Sequence, residues 1–482
     1  MIKYKIHTLI FALALLATSC ESILEVKPKT VITDQIYWQN ESDYTAYLVG
    51  IYSNFRTQMN DQDFGGDRSD SFVQGSLPRF SAYWAQVITP ENSRDWKDFY
   101  GVIGHANLLL EKSEGFEFSN EGNKSRIKAE ALALRAAMYF YMAKIWGDVP
   151  LVLDAVVDEN VPQLPRTPVA DVFNQINADI DAALALFPEE GFVSKYRFSK
   201  PAVYALKADV KMWSASVLGG GDVDYNAAIA AIDEVAKSGV ALQSNFSDIT
   251  EKQNNEIILA IYFNRSETGG GSSAMYARYA FPLSNYSGEA ENAEELPLAL
   301  DPNNAQAGYA ASPQIMGLFS AYPNDERIAS TYVVEIQGGK EGAAWPNKFQ
   351  GTRYADDRIA DDDIILYRWA DLLLLKAEAY AALNQPENAL IALNEVRERA
   401  KIDDYTSLDI PALKKEILDE RGRELFHENK RWWDLVRAHK SGVVDIYQYI
   451  PNLVGKTTPI YWPVSIRVLS LNKKIVQTEG YQ

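Results

Sequence analysis

Cysteine occurs once in 482 residues, at position 20. No disulfide can form within the chain, and no other thiol is available as a nucleophile. Histidine is nearly as scarce, at positions 7, 105, 427 and 439, and no two of these stand at HExxH or another metal-binding spacing. His427 is followed by Glu428 without a second ligand at helical spacing. Basic residues are in deficit. Lys and Arg total 47 against 65 Asp and Glu, a formal net charge of −18. That excludes a general nucleic-acid binder, which needs a basic face, and a polybasic membrane contact. No segment carries the ~20 apolar residues that a membrane span requires. The GGGSS at 269–273 lacks the strand–turn–helix setting of a nucleophile elbow, and no GxxxxGK[ST] loop occurs. Carboxylates are plentiful, so a two-carboxylate hydrolase stays open, but no catalytic motif favours an enzyme.

What is present is apolar and aromatic. Hydrophobic residues make up 47% and aromatics 12%, ample for a large core. The first residues, MIKYKIHTLIFALALLATSC, give a basic head, an apolar run from Leu9 to Ala17, small residues and then Cys20. This is the pattern of an export signal. Its end resembles a lipoprotein lipobox, in which Cys20 is acylated and becomes the first residue. Residues 1–19 are then signal and 20–33 a polar tether. Acyl chains hold a protein to a membrane without a spanning helix.

Beyond the tether, helical periodicity dominates. Apolar residues recur at three- and four-residue spacing over about 35–56, 94–111, 123–146, 168–186, 200–217, 226–237, 364–383, 386–400 and 410–437. AEAYAALNQPENALIALNEVRERA places Ala377, Tyr380 and Ala389 at tetratricopeptide spacing. Residues 205–239 resemble a second copy, with Ala208 and Ala228, and 133–187 a degenerate third, with Ala136 and Tyr139. Such hairpins cannot bury their apolar faces alone, so they stack. Regions 61–93 and 263–358 break the rhythm with Gly, Ser, Asn and Pro. The second is rich in aromatics, which marks it as folded, and long loops are where function concentrates. The acid clusters ADDRIADDD (355–363) and GDVDYN (221–226) lack EF-hand spacing. Solvated or helix-capping carboxylates explain them better than calcium, and no cofactor is expected.

Several stretches together resemble the SusD/RagB family of Bacteroidetes surface lipoproteins. They are SCESIL, DWKDFYGVIGHANLLLE, AEALALRAAMYFYMAKIWGDVPLVL, YPNDERI, LYRWADLLLLKAEAYAALN, ILDERGRELFHENKRWWDLVR and the closing PIYWPVSIRVLSLNKKIVQTEGYQ. The closing segment departs from the family only in having Thr478–Glu479 where an Asn is usual. The resemblance implies a mostly α fold in one unit over 34–482: an N-terminal portion to about 230, an insert at about 263–358 and a C-terminal portion from about 359. Four tetratricopeptide-like repeats would support a loop-rich binding region. It also implies a non-enzymatic surface protein of the outer membrane that captures an oligosaccharide or polysaccharide. Its partner would be a SusC-type TonB-dependent transporter, over which it would act as a lid. Peptide capture by the same architecture, a glycoside hydrolase and a pure repeat scaffold remain the alternatives.

Sugars stack on aromatic faces and hydrogen-bond to carboxylates, amides and Arg, whereas core aromatics only pack. Trp96, Trp146, Trp213 and Trp369 lie on helical stripes and are expected in the core. Tyr83 and Trp84 do not. Trp84 is therefore expected as the main stacking platform, with Tyr83 beside it and Asp67 and Arg68 as hydroxyl partners. Tyr276, Arg278, Tyr279, Tyr286 and Trp345 are the candidates from the insert. The adjacent Trp432 and Trp433 in RWWDLVRAHK point about 100° apart on a helix and cannot form one flat platform, so packing is expected of them.

Overall fold

The computed structural model describes residues 37–60, 63–75, 81–156, 163–266, 280–282, 290–292, 295–296, 305–355 and 358–481. Cys20, the signal, the tether, Tyr276, Arg278, Tyr279 and Tyr286 lie outside them. The chain divides into two compact units, residues 1–44 and 45–482. In the first, the Trp38 ring meets the edge of Tyr37 and tilts on Tyr44. The Asp43 carboxylate accepts the backbone N–H groups of Gln39 and Asn40 at 2.8 and 2.9 Å, leading into helix α1 (Glu41–Met59).

The described residues are mostly helical, with fourteen helices and only two-stranded sheets. Packed neighbours in the second unit form helical pairs: α2 (Lys97–Glu114) with α3 (Glu121–Trp146), and α3 with α4 (Val169–Leu186). Next come α5 (Lys200–Val217) with α6 (Gly221–Ala236). Alanine explains the close approach. Ala129, Ala131, Ala133, Ala136 and Ala143 on α3 are fully buried, and a helix apolar all round is an interior helix. Asn120 caps α3 by accepting the N–H of Asn123, and Gly147 ends it at φ +72°. The GDVDYN acids open α6, where Asp224 accepts hydrogen bonds from Ser214 and Lys211 of α5.

The insert is not shapeless. Strand β1 (Phe72–Gln74) and β2 (Ile257–Ile261) precede it. Within it, β3 (Ala280–Pro282) pairs with β4 (Ala305–Ala307), and β5 (Tyr309–Ala311) pairs antiparallel with β1. Two short helices follow, α7 (Pro313–Leu318) and α8 (Ile328–Thr331), then the hairpin β6 (Tyr332–Gln337) and β7 (Lys340–Pro346). The small pair β8 (Thr352–Arg353) and β9 (Arg358–Ile359) closes it.

The expected helix at 364–383 begins instead as a strand, β10 (Ile364–Arg368), antiparallel to β2. Its run Ile-Ile-Leu-Tyr suits a fully buried strand. Helix α9 (Trp369–Ala382) starts only then, and pairs with α10 (Pro386–Arg399). The expected helix at 410–437 is also two, α11 (Ile410–Glu424) and α12 (Arg431–Lys440). His427 and Asn429 break it, at φ +66° and +59°. The break fits against the loop at Gly65, where a Cβ would lie 2.2 Å from the Asn429 carbonyl oxygen. Two short helices follow, α13 (Ile446–Tyr449) and α14 (Ile466–Leu471), with the 3-10 turn Pro451–Leu453 between them.

Helices α10 and α11 meet the insert and β10 through buried charge. Arg327 pairs with Asp325, Glu420 and Glu424, and Arg368 with Glu256, Glu424 and Glu428. Arg399 reaches Glu256 and Glu424, while Lys348 reaches Glu428. Arg397 and Arg423 both hold Glu416 and Glu420. Six cations thus meet six anions. Buried charges are tolerated only when paired and hydrogen-bonded. The guanidiniums hold the Glu420 carboxyl down at about 2 and Glu424 well below the usual carboxylate range.

Candidate ligand-binding surface around Trp84

Residues 81–87 form a tight turn that presents Trp84. The indole is partly exposed and packs on an apolar cluster of Phe72, Tyr309, Ala311, Ile315, Phe319, Ala344 and Phe426. Its Nε1–H donates to the Phe72 carbonyl at 2.8 Å, which fixes the ring plane. Met316, Tyr332 and Val334 lie partly buried against the same cluster. A rigid, half-covered indole is suited to stacking, because little rotamer freedom is left to lose on binding.

Asp67 and Arg68 are not hydroxyl partners. Both are fully buried. Asp67 Oδ2 accepts from Ser81 Oγ at 2.6 Å, and Ser81 Oγ accepts the Trp84 N–H at 2.9 Å. Tyr309 donates to the same carboxylate oxygen at 3.3 Å. Asp67 therefore holds the turn that carries Trp84. Arg68 Nε donates to Gln86 Oε1, and its other nitrogens donate to the carbonyls of Ile460 and Pro459 at 2.6 and 2.8 Å. Its guanidinium lies 4.2 Å over the Trp432 ring, and burial pushes it down to about 10, still cationic at neutral pH.

Tyr83 turns the other way. Its hydroxyl donates to the Asn92 carbonyl and its ring leans on Trp462 at 4.5 Å. Trp345 is also buried. Its Nε1–H donates to Glu335 at 3.0 Å across the β6–β7 hairpin, and it packs on Leu296. Trp345 thus spends its ring on the interior, while the partly exposed Tyr83 ring is met by Trp462 and by the Arg94 guanidinium. Trp432 and Trp433 are buried as expected and face different neighbours, Arg68 for the first and Trp213 and Lys144 for the second. Trp96, Trp146, Trp213 and Trp369 are likewise core.

The model described as SusD family matches residues 321–481, and one described as starch-binding, associating with the outer membrane, matches residues 23–212. The chain belongs to the SusD/RagB family. SusD-like protein P38 of Formosa agariphila is 28% identical to it, over 96% of each chain. Starch-binding protein SusD of Bacteroides thetaiotaomicron is 23% identical over the whole of both. The solved structure of B. fragilis NanU superposes with a TM-score of 0.81 at 27% identity, over 95% of this chain and all of that one. The family is one of starch- and glycan-binding proteins.

In this SusD-family chain the residues that build the Trp84 turn come from distant sequence. Asn452 donates to the Trp84 carbonyl at 3.2 Å, Lys456 to that of Ala85, and Thr458 to that of Gln86 at 2.8 Å. Nothing in the spacing of these polar residues marks them, because the seam they close spans some 370 positions. Tyr332 was equally illegible, half on a strand and half against Phe319. A polar residue three before Trp84, here Ser81, is the one local signal, an ST-type turn.

Proposed function

We propose that this protein is a surface lipoprotein that binds an oligosaccharide or polysaccharide and passes it to a SusC-type TonB-dependent transporter of the outer membrane. Family membership supports the class of ligand and the membrane association. The observation that carries the binding reading is Trp84. Its ring is partly exposed, sits on an apolar cluster and is fixed at its edge by the Phe72 carbonyl, whereas the partly exposed Tyr83 ring lies between Trp462 and Arg94. In this reading Cys20 carries the lipid anchor and the protein serves as the transporter's lid.

The test is affinity electrophoresis against a panel of neutral and acidic polysaccharides, with the protein lacking residues 1–20. At least one polymer should retard the wild type, and Trp84→Ala should run as in a blank gel while its far-ultraviolet circular dichroism stays native. Unchanged retardation of a folded Trp84→Ala would overturn the role of Trp84. Retardation by no polysaccharide, with binding to peptides instead, would replace the ligand class.

A further inference from the structure

A second concavity, which shares no lining residue with the Trp84 cluster, lies between the 3-10 turn Phe246–Thr250 and the segment 347–351 that follows β7. It has a volume of about 340 Å³. Ser247 and Gln350 are exposed at its rim, while Thr250, Ser330 and Asp362 are partly exposed along its wall. The floor is buried: Phe246, Ile249, Asn347 and Lys348.

This lining is rich in polar groups that the protein itself does not use. Asn347 is 7% exposed. Its backbone N–H donates to the Thr331 carbonyl and its side-chain NH₂ to that of Ala329, yet its Oδ1 has no partner. A buried amide oxygen left without a donor costs about 1–3 kcal/mol, so its retention asks for an explanation. The Thr250 and Ser330 hydroxyls make no side-chain hydrogen bond among the described residues, and Gln350 spends only its Nε2, on the Asn347 carbonyl at 3.3 Å. Asp362 accepts the Gly351 N–H through Oδ2 at 2.6 Å, which leaves its other oxygen facing solvent or ligand. Burial pushes that carboxyl up to about 6, as expected of a group with few donors around it.

A hydrogen-bonding set of one carboxylate, two planar amides and two or three hydroxyls matches a ring bearing several adjacent hydroxyls. A hard cation fits less well. Among the described residues no three His, Cys, Asp or Glu side chains gather as metal ligands. An anionic ligand is disfavoured, because Lys348 turns its ammonium inward to Glu428 and the Glu424 carbonyl, leaving Asp362 as the charge at the wall. The floor ring, Phe246, is covered by Lys348 and Arg399 at 5.0 and 5.1 Å, so no aromatic face is open for stacking.

We infer that this concavity is a separate site for a single neutral pyranose, held by its hydroxyls through Asn347, Gln350, Asp362 and Thr250. It does not depend on Trp84 and stands whether or not the Trp84 surface binds a polymer.

Saturation-transfer difference NMR with the methyl glycosides of glucose, galactose and mannose, and with glucuronate, reads it directly. At least one neutral glycoside should show transfer with the wild type and equally with Trp84→Ala, and glucuronate should show none. Gln350→Ala and Thr250→Val alter the rim and wall without touching the packed floor, and together should weaken the affinity by about tenfold, the worth of one or two hydrogen bonds. Transfer from no neutral glycoside, or transfer unchanged in the double variant, overturns the inference. So does a calcium-dependent rise in melting temperature that Asp362→Asn removes while no sugar transfer is seen. Loss of transfer in Trp84→Ala would assign the sugar to the other surface and overturn it as well.

Discussion

Replacing Glu424 by glutamine removes one charge from the most crowded point of the interior. The side chain is fully buried and accepts from three guanidiniums: Arg399, Arg368 at 2.6 Å and Arg327 at 2.9 Å. These come from α10, from β10 and from the segment before α8, so one carboxylate ties three elements to α11. Glutamine keeps the volume, so no cavity opens. What changes is charge. Six cations then face five anions in a largely buried cluster. Removing one partner from a buried ion cluster costs about 3–5 kcal/mol, a large share of a typical folding stability of about 5–15. The assay is urea unfolding followed by tryptophan fluorescence, with Glu341→Gln at the exposed end of β7 as the control. The midpoint of Glu424→Gln should fall sharply at unchanged m-value, and that of the control should stay. A loss below about 1 kcal/mol, the range of exposed pairs, would refute the view that the network is dry and mutually dependent.

Acid should act on the same cluster. Glu420 is held at about 2 against an ordinary 4.5, so its ionic stabilisation is complete above pH 4.5 and lost as the pH falls towards 2. That single group corresponds to about 3 kcal/mol, and calorimetry should show the melting temperature dropping steeply between pH 4.5 and 2. A flat profile there would count against it. Gly65→Ala should destabilise by at least about 3 kcal/mol or prevent soluble expression, since its Cβ would strike the Asn429 backbone. A Gly65→Ala protein with a wild-type melting temperature would show that the 425–430 connection gives way easily. Trp84→Ala should lower stability by about 2–4 kcal/mol while remaining folded, because the ring packs on Phe72 and Tyr309 as well as facing out. An unchanged melting temperature would mean that the indole is not seated as described.

The helical frame was legible because its signals are local. Periodicity, the alanine positions of the hairpins and the Gly147 and Pro386 boundaries act within a few residues, and helices α2 to α6, α9 and α10 lie within a few residues of where these put them. Two errors have a shared origin. The strand β10 and the break at 425–430 depend on partners far away, β2 for one and Gly65 for the other, and tertiary packing overrode a continuous apolar period. The site was harder to read. Residue type set the partly exposed Trp84 apart from the buried tryptophans, yet it assigned Asp67, Arg68 and Trp345 to the surface. Charged and aromatic residues in a loop look alike whether they meet a ligand or brace the loop, and only the partners decide it. Here the partners are Ser81, the 459–460 carbonyls and Glu335.

The seam that closes residues 81–87 against 452–460 carries a consequence for how the molecule is made. Synthesis and export deliver the N-terminal strand of that seam long before its mate. Until residues 452–460 emerge, the carbonyls of Trp84, Ala85 and Gln86 lack their partners, and Arg68 lacks the carbonyls of Pro459 and Ile460. Contacts so far apart in sequence form late and slowly. The Trp84 turn is thus among the last parts to set, and a chain truncated before 450 would possess every residue of the turn and lack its shape.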